Sequence, residues 1–226
     1  MNETITTLEL RLTLTSDATF GRGDGVAGLV DAEIEHDPDT GLPYLRGRTL
    51  KGLLVEECAN ILYALGEQSN QFMVAAHWLF GLPGSGLVQE AKMHVGTASF
   101  PAGLQQAIRA DIQGKRLVPA QVLESLSGIR RQTAVDEGTG APQEGSLRAM
   151  RVLLRGTELA ATLDFDEPPP PAALTLLAAC VLALRRAGLG RNRGSGRLTA
   201  ALWHNEQDVT AEYFEHFKSL VNGGAI

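Results

Sequence analysis

Two segments of the chain alternate apolar and polar residues with the period of a β-strand. Leucine occupies every even position from 8 to 14, and residues 159–165 repeat the pattern. Successive side chains of a strand point to opposite faces, so both segments are predicted to be half-buried strands. Residues 172–187 are instead apolar almost throughout, which predicts a buried helix with Arg185 and Arg186 in its last turn.

The remaining segments divide into helices, extended pieces and turns. Further helices are predicted from Thr49, a potential N-cap, to Gly66, over 70–80 before Gly81, at 103–112 and 119–126, and around 213–221. Extended segments are predicted at 29–36 and 198–203, and the polar segment 129–150 is predicted to be a projecting hairpin or loop. The order strand, helix, extended pieces, strand, helix, strand predicts an α+β fold with a ferredoxin-like core and large insertions.

Length and composition favour one domain over residues 1–226, because 44% of the residues are apolar and supply an ample core. No apolar run reaches about 18 residues and no cationic leader is present, so we expect neither a membrane span nor a signal peptide. Cys58 and Cys180 lie in apolar helical segments and are expected to be buried thiols. Together these features predict a cytoplasmic protein.

The charge of the chain is unevenly distributed. A net charge of −6 argues against nucleic-acid binding over the whole surface. The arginines, however, concentrate at 46–48, 130–131, 148–155 and 185–197, which predicts a local basic groove. The acidic run at 31–39 is expected to be solvated, and we expect it to meet the arginine clusters of a neighbouring copy.

Residues 188–197, called the glycine loop below, combine four glycines with three arginines. Glycine allows positive φ and close approach of the backbone to a ligand, and successive N–H groups form an anion-binding concavity. Arginine adds charged forks that suit phosphate. The residues predicted to contact phosphate are Gly190, Arg191, Arg193, Gly194, Gly196 and Arg197. A helix end followed by a solvated turn is the alternative interpretation.

The predicted start of the first helix is a second candidate anion site. Arg46, Arg48, Thr49 and Lys51 surround it. The N–H groups and dipole at a helix N-terminus attract anions, and the neighbouring cations strengthen that attraction. A solvated helix end is again the alternative.

Several segments, taken in order, resemble RAMP-superfamily CRISPR proteins. The matching segments are Gly28 to Asp31 with 37–52, similar to the family's opening "D…P…lPGSSLKG"; Leu79-Phe80-Gly81, its "LFG"; Arg131 to Asp136, its thumb segment "R-x-x-I-D-x-x-T-G"; Arg155 to Leu159, its "G-x-x-F" turn; and 188–196, its C-terminal glycine-rich signature. The greatest likeness is to the repeating backbone subunit of type III CRISPR effector complexes.

This resemblance implies an RNA-recognition-motif-like core with a thumb at about 129–150, where Arg130 and Arg131 are expected to bind RNA. Such subunits polymerise along a guide RNA. The expected partners are therefore guide RNA, target RNA, further copies of the chain and other effector subunits, without a membrane. An acidic residue in the loop before the opening motif cleaves target RNA with a divalent metal. Here that residue is Asp31, which is expected to be catalytic and to bind Mg²⁺ or another divalent ion.

Three alternatives remain open at this stage. Asp31 is, without the resemblance, one of several solvated acids beside Glu33 and Glu35. The chain is then a structural, non-catalytic guide-binding subunit. The third alternative, a guide-processing ribonuclease of the same superfamily, requires a histidine or tyrosine near the glycine loop, and His204 is the only histidine near it in the sequence.

Overall fold

A computed structural model describes residues 5–26, 28–82, 90–136, 138–143 and 145–223. The helices are α1 (Gly47–Leu65), α2 (Asn70–Phe80), α3 (Ala102–Gln113), α4 (Pro119–Leu126), α5 (Pro171–Ala183) and α6 (Thr210–Val221). The strands are β1 (Thr7–Leu14), β2 (Met93–Val95), β3 (Ser127–Gln132), β4 (Arg148–Leu153), β5 (Glu158–Phe165), β6 (Leu198–His204) and β7 (Gln207–Asp208).

Five strands form an antiparallel sheet in the order β2-β5-β1-β6-β7. Strand β1 is central, and its Leu10 pairs with Ala161 of β5 on one side and with Leu202 of β6 on the other. The four strands β1, β2, β5 and β6 have the connections and the order of a ferredoxin-like βαββαβ core. The predicted α+β class is therefore confirmed.

The even-numbered leucines of β1 all lie on one face of the sheet, where they are buried. Helix α5 packs between this face and the helices α1, α2 and α6, and its residues 173–181 are all buried. A helix surrounded in this way needs no polar face, which explains its almost continuous apolar sequence. No helix of the described residues is long and apolar enough to cross a membrane.

The opposite face of the sheet carries charged side chains rather than a second layer of helices. There the guanidinium carbon of Arg11 lies 4.0 Å from the centre of the Trp203 ring, and its Nη2 contacts Glu9 at 2.9 Å and Glu206 at 2.8 Å. A cavity of about 610 Å³ on this face is lined by four acidic side chains, and Arg11 is its one cation within the described residues.

Several predicted boundaries need correction. Helix α1 begins at Gly47, so Thr49 lies in its first turn and is not its N-cap. Helix α5 ends at Ala183, which places Arg185 and Arg186 after the helix and not in its last turn. The segment 29–36 is not a strand. It makes isolated bridges to several different partners, and no single strand pairs along its length. The alternation of its residues does not show this.

Strands β3 and β4 form a separate two-stranded sheet, called the hairpin below, in which Gln132 pairs with Arg148. At its base, Leu153 forms a bridge with Ala18, so the hairpin starts beside the end of β1. Its outer part is mostly exposed, and its strands make no ladder with the five-stranded sheet among the described residues.

The acidic run at 31–39 is not a solvated patch, contrary to the prediction. Glu33 is 2% exposed and its Oε1 lies 2.8 Å from Nε of Arg151, which is 8% exposed. The Arg151 Nη1 group also donates to Ser127 Oγ at 3.2 Å. Glu35 is buried as well and contacts Arg46. Two of the acids therefore hold arginines of the chain itself and are not available to a neighbouring copy.

Replacing Glu33 by Ala should destabilise the protein by about 3 kcal/mol, because the buried Arg151 would lose its counter-ion. Urea unfolding of the purified chain measures this change in the free energy of unfolding. Glu215→Ala is the matched control, because Glu215 forms an exposed pair with Lys218. That control should change the free energy by no more than about 0.5 kcal/mol. Equal effects of the two substitutions would contradict the importance of the buried pair.

Candidate nucleic-acid interface

The glycine loop connects α5 to β6 and folds back on residues 15–20, the segment that follows β1. The N–H of Leu189 donates to Thr19 O at 2.8 Å, and the N–H of Gly196 donates to Asp17 O at 2.8 Å. The N–H of Arg197 donates to Ser16 Oγ at 2.9 Å. The backbone at both ends of the loop is therefore fixed.

The four glycines of the loop all have positive φ but serve different purposes. A Cβ on Gly188 would lie 2.5 Å from Thr19 O, and one on Gly196 would overlap Ala187 O. These two glycines allow the chain to pack on itself. Gly190 and Gly194 have φ values of 68° and 90° and more space around their Cβ positions. They are the two that leave the backbone open to an external ligand.

The structure brings the start of α1 next to the glycine loop. Nη2 of Arg191 donates to both carboxylate oxygens of Glu56, on α1, at 2.9 Å each. A cavity of about 300 Å³ between the two elements is lined by Arg46, Thr49 and Arg191, among others. Two segments predicted separately from the sequence thus border one cavity.

The other two predicted residues of the helix start lie elsewhere. Nζ of Lys51 donates to Met93 O at 3.3 Å, and burial lowers the pKa of the Lys51 ammonium below its ordinary value. This side chain is turned toward β2, and neither it nor Arg48 lines the cavity at the glycine loop. Arg48 is exposed and makes no side-chain hydrogen bond within the described part of the chain.

The hairpin borders the other side of the glycine loop. A second cavity, of about 400 Å³, lies between Gln132, Arg148 and Met150 of the hairpin and residues of the loop. The two cavities share Gly188, Leu189 and Arg191 and therefore adjoin along the glycine loop; together they are called the groove below. Arg148 was missing from the predicted site. Only the register of the hairpin reveals this residue, because Arg148 pairs with Gln132 of β3.

The adjacent arginines of β3 have different surroundings. Nε and Nη2 of Arg130 donate to Asp17 Oδ2 at 2.9 Å and 2.6 Å. Arg131 pairs with Ala149 in the hairpin ladder and therefore lies on the opposite face from Arg130 and Met150. It is exposed and has no side-chain partner among the residues described.

Asp31 lies at the outer edge of β4. Its N–H donates to Ala149 O at 2.7 Å, and its Oδ2 accepts the N–H of Ala149 at 2.7 Å. The bridge between Ala32 and Met150 places Ala32 on the face that borders the groove. By alternation, Asp31 shares the other face with Arg131. Asp31 therefore lies beside the outer part of the hairpin ladder, on the face away from the groove.

The side chains near Asp31 determine how this residue can bind the expected divalent metal. No group of three or more His, Cys, Asp or Glu side chains in the described ranges is arranged to hold an ion. Mg²⁺ commonly uses one or two carboxylates and completes its shell with water and substrate phosphate. Oδ1 of Asp31, which accepts no hydrogen bond from the described residues, fits that mode of binding and does not fit a cage made by the protein alone.

Exposed cations surround the groove. The guanidinium groups of Arg148, Arg193 and Arg197 are without a side-chain partner in the part of the chain that is described. A further cavity of about 470 Å³, next to the loop, is lined by Arg185, Arg186 and Arg197. Unpaired arginines beside exposed backbone N–H groups are the arrangement that phosphate oxygens require.

Comparison with solved structures shows the same fold elsewhere. One chain of the cryo-EM structure of type III-B Cmr-beta in the apo state is 12% identical, with a TM-score of 0.61 over 89% of this chain and 99% of that chain. A chain of type III-B Cmr-beta bound to cognate target RNA is also 12% identical, with a TM-score of 0.60 over 93% and 99%. No protein-family model and no curated protein sequence matches. The resemblance noted in the sequence is therefore confirmed at the level of the fold.

Gly196→Ala should destabilise the protein by at least about 2 kcal/mol more than Gly194→Ala, although both glycines have positive φ. The two substitutions share the backbone strain, but only a Cβ at Gly196 meets backbone, whereas nothing lies within 4 Å of one at Gly194. Urea unfolding of both variants measures the difference. Equal destabilisation would show that the contact with Ala187 does not constrain the loop.

Proposed function

We propose that this chain is a guide-RNA-binding backbone subunit of a type III CRISPR effector complex. The groove, in which the start of α1, the glycine loop and the hairpin border two adjoining cavities, is the observation that carries the proposal. It is lined by Arg46, Arg148, Arg191 and Arg193, and the fold is that of chains in the type III-B Cmr-beta structures.

The groove is suited to a nucleic-acid backbone and not to base stacking on the sheet. RNA-recognition motifs commonly stack bases on aromatic residues of the open sheet face. Here the cavity on that face is lined by four acidic side chains, and its aromatic residue, Trp203, is covered by Arg11, which is itself bound to Glu9 and Glu206. The phosphates of a guide would be repelled there. They are attracted to the edge of the sheet, where the unpaired arginines lie.

The acidic partners of two groove arginines preorganise the site. Arg46 contacts Glu35 at 2.6 Å, and Arg191 uses one terminal nitrogen for both oxygens of Glu56. A guanidinium has five N–H donors, so each arginine keeps donors for a phosphate while its carboxylate fixes its position. Holding long side chains in place before binding lowers the entropy cost of association.

Cleavage of target RNA by Asp31 is the second part of the proposal. A divalent ion held by Asp31 together with RNA phosphate would stabilise negative charge on the reacting phosphate. Where the carboxylate carries no ion, Oδ1 of Asp31 instead acts as the base: it accepts the proton of a 2′-hydroxyl, whose oxygen attacks the adjacent phosphorus and displaces the 5′-oxygen of the next nucleotide. The hairpin, which carries Ala149, keeps Oδ2 of Asp31 fixed and leaves Oδ1 for this contact.

A structural, non-catalytic subunit is the second candidate, and a specific observation favours it. Asp31 lies on the hairpin face opposite the groove and already accepts a hydrogen bond from Ala149 N–H. A guide-processing ribonuclease is disfavoured, because His204 ends β6 at the opposite end from the glycine loop, which precedes its first residue, Leu198.

Replacing Arg191, Arg193 and Arg197 together by alanine should weaken binding of a single-stranded guide RNA. The slope of log K against log salt concentration is negative, and its magnitude should decrease by about 2, since each phosphate contact on a single strand contributes about 0.7. Filter binding or fluorescence anisotropy over a salt series measures the slope. The control with the same change in charge replaces Arg109, Lys115 and Arg116, which lie on or after α3 and do not line the groove. Equal slopes for the two triple variants would contradict the groove.

Asp31→Asn should reduce target-RNA cleavage by the assembled complex at least about 100-fold, because the base is lost. Guide binding should be unchanged, since the asparagine oxygen still accepts the Ala149 N–H. The measurement is the single-turnover cleavage rate with Mg²⁺. Asp39→Asn removes an exposed acid of the same run and should cleave normally. If Asp31→Asn cleaves at the wild-type rate, the structural subunit becomes the better description.

A further inference from the structure

Asp17 contacts three elements of the RNA groove and its surroundings, although it was not among the predicted site residues. Its Oδ2 accepts both hydrogen bonds from Arg130 of the hairpin, and its Oδ1 accepts the N–H of Arg155 at 3.0 Å. Its main-chain oxygen accepts the N–H of Gly196 in the glycine loop. One residue thus bonds to the hairpin, to the turn after β4 and to the loop.

The environment of Asp17 holds its carboxylate in the ionised form. Its side chain is 22% exposed. Burial alone would raise its pKa, but the hydrogen bonds from Arg130 and from Arg155 N–H outweigh burial and keep the pKa below its ordinary value. The carboxylate remains charged at neutral pH and holds the Arg130 guanidinium through two donors that converge on Oδ2.

The hairpin has few other attachments on this side. Its base is joined to the segment after β1 through the bridge between Ala18 and Leu153, and it is joined to residues 31–33 on the outer edge of β4. Arg130 is three pairs further from the base than the Ser127–Leu153 pair, so its contact with Asp17 is a second attachment, beyond the base, between the hairpin and the segment after β1. A displacement of the loop backbone at Gly196 reaches this contact through a single residue.

We infer that Asp17 is a positioning residue that couples the glycine loop to the hairpin, so that RNA bound at the loop fixes the orientation of the hairpin. This inference rests on the proposed function for its ligand, single-stranded RNA. It assigns Arg130 to Asp17 and not to a phosphate, and it leaves Arg131, Arg148 and Arg193 as the cations that meet RNA near the hairpin.

Two substitutions separate this coupling from general stability. Asp17→Asn keeps an oxygen for the Arg155 N–H but removes the charge that holds Arg130. Arg130→Gln leaves the bond between Asp17 and Arg155 intact. Asp111→Asn is the matched control, because Asp111 forms an ion pair with Arg116 at the end of α3, outside the groove.

Hydrogen exchange of the full chain, with and without a single-stranded RNA oligonucleotide, measures the coupling. In the wild type and in Asp111→Asn, RNA should slow amide exchange in the hairpin at least about tenfold. In Asp17→Asn and Arg130→Gln this protection should be lost while RNA affinity stays within about threefold. The double variant should lose no more than either single variant, because the two residues act through one contact.

Full hairpin protection in Asp17→Asn or in Arg130→Gln would overturn the inference. So would a large loss of affinity in Arg130→Gln alone, which would place Arg130 on a phosphate. If the wild type binds no RNA, the proposed function fails, but the coupling is still measured in the free protein. There Arg130→Gln should accelerate exchange of the Gly196 N–H, and unchanged exchange at that amide would overturn the coupling itself. If Asp17→Asn does not fold, Arg130→Gln alone decides.

Discussion

The six residues that follow β1 supply the hydrogen-bonding groups on which the groove depends. Within 15–20, Thr19 O and Asp17 O accept N–H groups of the glycine loop, and Ala18 pairs with Leu153 at the base of the hairpin. Both the glycine loop and the hairpin are therefore attached to one short extension of the central strand. Because β1 is paired on both edges and its leucines are buried, the extension starts from a fixed point of the core.

The distribution of acids explains how a chain of net charge −6 presents a basic groove. Glu33, Glu35 and Glu56 are each bound to an arginine, so these carboxylates orient the cations near the groove. The other acids include Glu9, Glu206 and Asp208 of the open sheet face, which lie at or beyond the end of β6 that is away from the glycine loop. Separation of the two signs over the surface guides an anionic ligand to one edge of the molecule.

Local periodicity accounts for most of what the sequence predicts correctly. A strand or helix whose pattern lies within a few neighbouring residues is predicted correctly. Examples are the leucines of β1, the apolar run of α5 and the glycine after α1. The errors concern contacts over long distances in the chain. Glu33 and Arg151 are 118 positions apart, and so no local pattern shows that this acid is buried and paired.

The same reason explains the site residues that were missed. Asp17 and Arg130 are separated by 113 positions, and only the fold reveals that the aspartate which follows β1 meets the hairpin. Lys51 lies away from the cavity at the glycine loop for a different reason: a helix start near cations suggests an anion site, but the direction of each side chain depends on where β2 lies. The separate two-stranded sheet of the hairpin has a last consequence. Since β3 and β4 pair only with each other among the named strands, residues added or removed between Gln132 and Arg148 would change the reach of the hairpin and leave the register of the five-stranded sheet intact.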